Sequence, residues 1–199
     1  MDKKQQTVDT YNKSAALFAD KFNSQSARVD DIKIAFSYIK KTNPKVLELG
    51  CGSGRDAKYI TRFTTDYLGI DISEKMVSQA KLNTPEANFK VEDLETFEFP
   101  KNLDVVFSFA SLLHSSKEKL KKVLERVEKS LNKNGVFFID LKLGRYREET
   151  IEDGFGRRTF YYYTPEDILS LAPKSFQEVW RVYPTPGGTK WFSIILQKE

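Results

Sequence analysis

The most regular alternation of apolar and polar positions runs from Val46 to Leu141, where apolar runs of strand length are separated by stretches of helical spacing. Val46-Leu47-Glu48-Leu49 is apolar but for one acid and stops abruptly at Gly50, Gly52 and Gly54. It predicts a buried strand followed by a turn in which backbone passes close to a neighbour. Arg55 to Phe63 then carries Ala57, Ile60 and Phe63 on one side, the spacing of a helix. Asp66 to Ile70, Asn88 to Val91, Leu103 to Phe109 and Val136 to Leu141 predict the second to fifth strands. Between the last two, Glu118 to Leu131 predicts a helix with Leu120, Val123, Leu124, Val127 and Leu131 inward, broken by Asn134-Gly135. This alternation is that of parallel β-α units.

The flanks differ. Thr7 to Ser24 predicts an amphipathic helix with Tyr11, Ala15, Phe18 and Phe22 on one face, and Ala27 to Lys41 a second with Ile32, Ala35, Phe36 and Ile39 apolar. Near the end, Thr164-Pro165 is a strong helix start. Glu178 to Tyr183 and Trp191 to Leu196 are β-type runs joined by Pro184-Thr185-Pro186-Gly187-Gly188, which predicts a closing hairpin. The pattern divides a single domain over residues 1–199 into leading helices (1–43), a core around the glycine loop (44–141), an insertion (142–163) and a last helix with its hairpin (164–199).

A strand, glycine loop and helix in succession form the ligand-binding corner of a doubly wound α/β sheet. A P-loop reading fails because no Lys-Ser/Thr pair follows the glycines. A dinucleotide site spaced G-x-G-x-x-G from Gly50 and Gly52 would place its third glycine at position 55, which is Arg. What remains, acidic-x-Gly-x-Gly-x-Gly at Glu48, Gly50, Gly52 and Gly54, closely resembles motif I of the class I S-adenosylmethionine-dependent methyltransferases. Asp71-Ile72-Ser73-Glu74-Lys75-Met76 resembles the D-x-S-x-x-M/L signature of the same family.

The resemblance implies a Rossmann-like methyltransferase fold, α/β and doubly wound, with a mostly parallel seven-stranded sheet and an antiparallel C-terminal hairpin. It also implies S-adenosyl-L-methionine as cofactor and S-adenosyl-L-homocysteine as product. The loop Gly50, Cys51, Gly52, Ser53 and Gly54 is then expected against the cofactor's amino-acid end, with Glu48 near its cationic groups. Asp71 stands about twenty positions after the loop at a strand end, placed for a ribose diol. Ile72 and Met76 wall the adenine, Ser73 caps the next helix, Asp93 receives the adenine amino group, and Leu94 lies against the ring. In similar enzymes the leading helices close over the cofactor, which brings in Tyr11.

Ligands of open sheets sit beyond the carboxyl ends of the strands, so Ser108, Phe109 and Ala110 are expected at the reactive end. The [DNS]-P-P-[YF] motif of DNA and other amino-group methyltransferases is missing there, which counts against methylation of exocyclic amines in nucleic acid. His114, the only histidine, is a candidate general base or a packing residue. In the resembling family the insertion forms a substrate lid. Its Arg145, Arg157, Arg158 and Tyr161 are candidate acceptor contacts, the alternative being an edge hairpin with solvated charges.

Composition narrows the partners. Among 199 residues, 32 basic groups face 28 acidic ones, a net +4 too mild to argue for nucleic acid. One cysteine, Cys51, excludes an internal disulfide and fits a cytoplasmic setting, and with a single histidine it cannot build a metal site. Cys51 reads as a nucleophile or, more simply, a small apolar filler beside the cofactor. The polar start shows no signal peptide, and no membrane insertion is expected. The expected activity is methyl transfer to an O, N, S or C nucleophile of a small molecule, in a monomer or homodimer, closest to the quinone-pathway group. The alternatives are an RNA- or tRNA-modifying enzyme and a non-catalytic cofactor-binding regulatory module.

Overall fold

A computed structural model describes residues 2–25 and 27–199. Its centre is a seven-stranded sheet in the order β3-β2-β1-β4-β5-β9-β8. Strands β1 (Val46–Leu49), β2 (Tyr67–Asp71), β3 (Asn88–Val91), β4 (Leu103–Phe109) and β5 (Leu131–Lys142) pair in parallel. The last strand, β9 (Trp191–Lys198), inserts antiparallel between β5 and β8 (Phe176–Val182), as the closing hairpin predicted. A parallel sheet covered on both faces needs strands apolar on both sides. Accordingly, β1 and β4 are buried at every position.

One face of the sheet packs Leu47, Val106, Phe137 and Ile139 against Leu120, Val123, Leu124 and Val127 of α6 (Lys117–Ser130). The other packs Val105, Phe107 and Phe138 against Ile32, Ala35 and Phe36 of α3 (Val29–Ser37), and against Ala57 and Ile60 of α4 (Ala57–Ile60). Helix α5 (Glu74–Asn83) follows β2 and starts where Ser73 accepts a hydrogen bond from the Met76 amide at 3.2 Å. Helix α7 (Pro165–Leu171) opens with a reciprocal capping box between Thr164 and Asp167.

Four expectations change. The single helix over Thr7–Ser24 is two, α1 (Lys3–Lys13) and α2 (Ala15–Asn23), because buried Ser14 leaves helical geometry and donates its hydroxyl to the Phe155 carbonyl at 2.7 Å. The helix over Ala27–Lys41 is confined to α3. The helix from Arg55 shrinks to the four residues of α4, with Asp56 as its N-cap: the Asp56 carbonyl accepts from the Tyr59 and Ile60 amides, while its side chain accepts from Arg28 and Arg55. Asn134-Gly135 does not simply end α6: that helix stops at Ser130, and Asn134, at φ 63°, lies within β5 where the register against β4 shifts.

The insertion is a separate two-stranded hairpin, β6 (Arg147–Asp153) and β7 (Gly156–Tyr162), and α1 lies along its edge. Thr7 Oγ1 accepts from the Thr159 amide (3.1 Å), while Thr10 Oγ1 and Ser14 Oγ donate to the Arg157 and Phe155 carbonyls (both 2.7 Å). Positions 7, 10 and 14 share a helix face, and 159, 157 and 155 are alternate residues of the strand and its approach. A stripe of helix hydroxyls thus satisfies a strand edge that would otherwise offer unpaired backbone. A Cβ on Gly156 would come within 2.9 Å of Thr10, so glycine lets the two approach. Replacing Thr7, Thr10 and Ser14 together by alanine should remove about 1 kcal/mol per contact. Amide exchange should rise across residues 3–23 and 155–159 while core strand protection stays unchanged; unaltered exchange in α1 would contradict the coupling.

Candidate active site

The carboxyl ends of β1, β2 and β4 open into a cavity of about 650 Å³, roofed by α1. Its floor is the loop after β1, where Gly50, Gly52 and Gly54 take φ of 75°, 54° and 79°, a region that side chains resist. At Gly50 space adds to torsion: a Cβ would sit 2.2 Å from the Ser111 Cβ, so β1 and the turn after β4 meet only through a glycine. Asp71 fastens the loop from β2, accepting from the Gly52 amide (3.0 Å) through one oxygen and the Ser73 amide (2.8 Å) through the other.

Most predicted residues border this cavity. Glu48, Gly50, Cys51, Gly52 and Ser53 form one wall, with Asp71, Ile72 and Met76 beyond them. Asp93 and Leu94 close one end, and Phe109, Ala110, His114, Tyr11 and Tyr161 lie along the remaining walls. Burial and the Asp71 and Glu48 carboxylates push the Cys51 thiol well above its ordinary pKa, as for an inert filler rather than a nucleophile.

Five predicted residues fall elsewhere. Gly54 serves packing: a Cβ there would meet the Ala80 backbone of α5 at 3.0 Å. Ser108 points into the sheet interior, fully buried and 3.0 Å from the Ser111 hydroxyl. Arg145 and Arg157 are exposed outside the cavity wall. Arg158 is buried in the hairpin, paired with Asp153 at 2.5 Å and set over the Phe18 ring at 5.0 Å. Side chains alternate along β7, and the residues turned to the cavity are Thr159 and Tyr161 instead.

His114 reaches the cavity in a constrained state. Its Nδ1 lies 2.6 Å from the Thr159 carbonyl, which can only accept, so Nδ1 carries the proton. Nε2 therefore accepts from the Tyr11 hydroxyl at 3.0 Å. Burial drives the pKa down to about 4, with Arg158 and Lys142 opposing protonation as well. A neutral imidazole with both nitrogens engaged is a weak base and a good tether between α1, β7 and the turn after β4.

Other cavity residues escaped the sequence reading. Arg28 and Arg55 meet Asp56 beside the glycine loop: Asp56 accepts from the Arg28 amide (3.0 Å) and from two guanidinium nitrogens of Arg55 (3.1 and 2.5 Å). The Arg28 side chain reaches back to buried Asp140, 2.7 Å away. The adjacent Arg55-Asp56 pair immediately after the last glycine was a readable signal, whereas Arg28 has none in its local sequence. Lys4 comes from α1 to Asp93 (2.6 Å) and Glu95 (2.8 Å), pinning the roof to the far rim. Trp191 lines the cavity because β9 runs antiparallel and so presents its first residue at the ligand edge.

These residues suit a ligand with an adenosine at one end and a zwitterionic amino acid at the other. Asp71 retains acceptor capacity for a diol, having given one hydrogen bond per oxygen to the backbone. Near the loop, Arg28, Arg55, Asp56 and Glu48 offer both signs of charge. Ser53 Oγ, buried and without a hydrogen-bond partner among the described residues, supplies an unspent polar atom beside the loop. Among the described residues no cluster of His, Cys, Asp and Glu forms a metal site.

Comparisons with known proteins agree with this geometry. A family profile described as "Methyltransferase domain" matches residues 46–135. The chain is 30% identical over 128 residues to phosphoethanolamine N-methyltransferase of Plasmodium falciparum, covering 62% of this chain and 48% of that protein. It is 30% identical over 115 residues to ubiquinone biosynthesis O-methyltransferase of Pelagibacter ubique, covering 56% and 47%. The chain thus spans about half the length of these relatives. In fold it is similar to magnesium protoporphyrin IX methyltransferase of Synechocystis PCC 6803, with a TM-score of 0.78 at 16% identity over 100% of this chain and 98% of that one. A methyltransferase-domain profile thus spans residues 46–135, and the motif-bearing loop and the strand order resemble those of class I S-adenosylmethionine-dependent methyltransferases.

Proposed function

We propose that this protein transfers the methyl group of S-adenosylmethionine to a nucleophilic O, N, S or C atom of a small molecule. The observation that carries the reading is the roofed cavity itself. It runs from the Asp93 rim, past Asp71 and the glycine loop, to Phe109, Ala110 and Trp191, under a helix tied down on three sides. A duplex or a folded RNA needs an open basic surface, and the cavity walls here mix acids with bases.

Gly50 to Ser53, Asp71, Ile72, Met76, Asp93 and Leu94 would hold the cofactor, with Arg28 and Arg55 near its amino-acid end. When bound, it supplies a methyl group already activated on a sulfonium. The protein's own work is then alignment and exclusion of water. Glycine-loop amides and Asp71 fix one reactant. Phe109, Ala110 and Trp191 offer an apolar wall for the other. Tyr11, Lys4 and the α1–β7 contacts keep the roof closed. In this reading His114 orients Tyr11 and the lid and does not take the acceptor's proton.

Asp71→Asn leaves one carbonyl oxygen to serve the loop and withdraws the charge offered to a diol. S-adenosylhomocysteine affinity should drop about ten- to a hundredfold, on the order of hydrogen bonds to a charged group, in a protein that still folds. Calorimetry checks this, with NAD and NADP as controls expected not to bind; unchanged affinity in Asp71→Asn contradicts the assignment.

The activity itself is tested by incubating the protein with methyl-labelled cofactor and a cell extract split into small molecules and RNA. Label in the small-molecule fraction supports the reading. Label only in RNA, or cofactor binding with no transfer to either fraction, overturns it.

A further inference from the structure

Glu48 and Tyr67 form a buried pair that the methyl-transfer scheme leaves unexplained. Glu48 is the next-to-last residue of β1, opposite Gly69 of β2, and Tyr67 lies two residues earlier on the same face of β2. The Tyr67 hydroxyl donates to Glu48 Oε2 at 2.5 Å, with both residues almost fully buried. This reach depends on Gly69, where a Cβ would lie 2.5 Å from the tyrosine oxygen and 2.8 Å from the Phe89 ring. Phe89 meets the Tyr67 ring edge-on and fixes its angle. The second oxygen, Oε1, receives no hydrogen bond among the described residues, and Glu48 borders the cavity. One oxygen is therefore fixed by the sheet and the other is left for whatever enters.

We propose that Tyr67 is a positioning residue that fixes the Glu48 carboxyl at the cavity wall, that this buried carboxyl carries a proton while the cavity is empty, and that loading with the cofactor expels the proton. The inference rests on the cofactor reading above. In the empty site, burial is the main reason Glu48 resists ionisation, reinforced by Asp56 and Asp71; Tyr67 and Arg55 oppose this, and the carboxyl is pushed up to about 8. Cys51, the remaining titratable neighbour, stays a neutral thiol. Entry of a cationic ligand group beside Oε1 supplies the missing counter-charge. The O–H bond of Glu48 then breaks, its proton passes to buffer, and the carboxylate remains with Tyr67 still donating to Oε2.

An acid kept for a ligand burdens the empty fold, and that separates it from a structural acid. Because Glu48 is held above its ordinary pKa, its favourable contribution is complete below about pH 4.5 and is lost as pH climbs through about 8. Glu48→Gln cannot ionise. The unliganded Glu48→Gln protein should melt higher than the parent at pH 8–9, with the difference gone by pH 5.

The decisive measurement is calorimetry with S-adenosylhomocysteine at pH 7, run in buffers of different ionisation enthalpy to count protons. The parent should release close to one proton per ligand, Glu48→Gln none, and both Glu48→Gln and Tyr67→Phe should bind about tenfold or more weakly. Equal proton counts in parent and Glu48→Gln, or lower melting of Glu48→Gln at every pH, would make the pair a structural contact and overturn the inference. If the parent fails to bind S-adenosylhomocysteine at all, the cofactor reading fails first, and the melting comparison still judges the state of Glu48.

Discussion

The site depends on a clasp between one carboxylate and two backbone amides. Asp71 stands at the end of β2 and receives the Gly52 and Ser73 amides, one on each oxygen. Gly52 belongs to the loop after β1, and Ser73 is the cap of α5. A single side chain therefore ties the loop to the neighbouring strand and to the start of a helix. Backbone donors are rigid, so a carboxylate held this way keeps its position without an ordering cost at binding. The glycines permit the same arrangement from the other side, since the loop meets Ser111 and Ala80 at distances that leave no room for a Cβ.

Above the clasp the closure is built from weak and exchangeable contacts. The α1 helix meets the hairpin through hydroxyls, the rim through Lys4, and the turn after β4 through Tyr11 and His114. Each is worth on the order of 1 kcal/mol, far less than the apolar burial that holds the sheet together. Ties of this size are of the order that open locally without unfolding a domain, which suits an enclosed site in which the proposed reaction would exchange product for reactants. Hairpin and helix are joined because hydroxyls of the helix and of Ser14 bond the strand's free edge.

The buried and half-buried ionisable groups show the opposite economy. Glu48, Asp56, Asp140, Arg28 and Arg55 crowd beneath one end of the cavity. Buried ion pairs contribute little net stability, and a carboxyl that must be kept protonated contributes less still. Their concentration next to the glycine loop, in a core otherwise made of Phe, Leu, Ile and Val, is the pattern of a site that trades stability for binding.

The parallel core and most of the cavity wall were legible in the chain. Glu48, the glycines, Asp71, Ile72, Met76, Asp93 and Leu94 follow strands whose apolar runs have no other reading, and a parallel sheet delivers every strand end to one edge. Local sequence also decides the closing hairpin and the caps at Ser73 and Thr164. Orientation across long separations was not legible. Which face of β7 meets the cavity, whether Ser108 or Phe109 turns toward it, and whether Arg158 meets ligand or Asp153 all depend on a period of two read against a register that only pairing supplies. Arg28 with Asp140, Lys4 with Asp93 and Tyr11 with His114 join residues about ninety to one hundred and ten positions apart. A local pattern determines which residues can form a strand, a turn or a cap, because those choices are made by near neighbours. Which charges and hydroxyls then meet was decided by the packing of whole elements, since each contact needs two surfaces that no single stretch of chain contains.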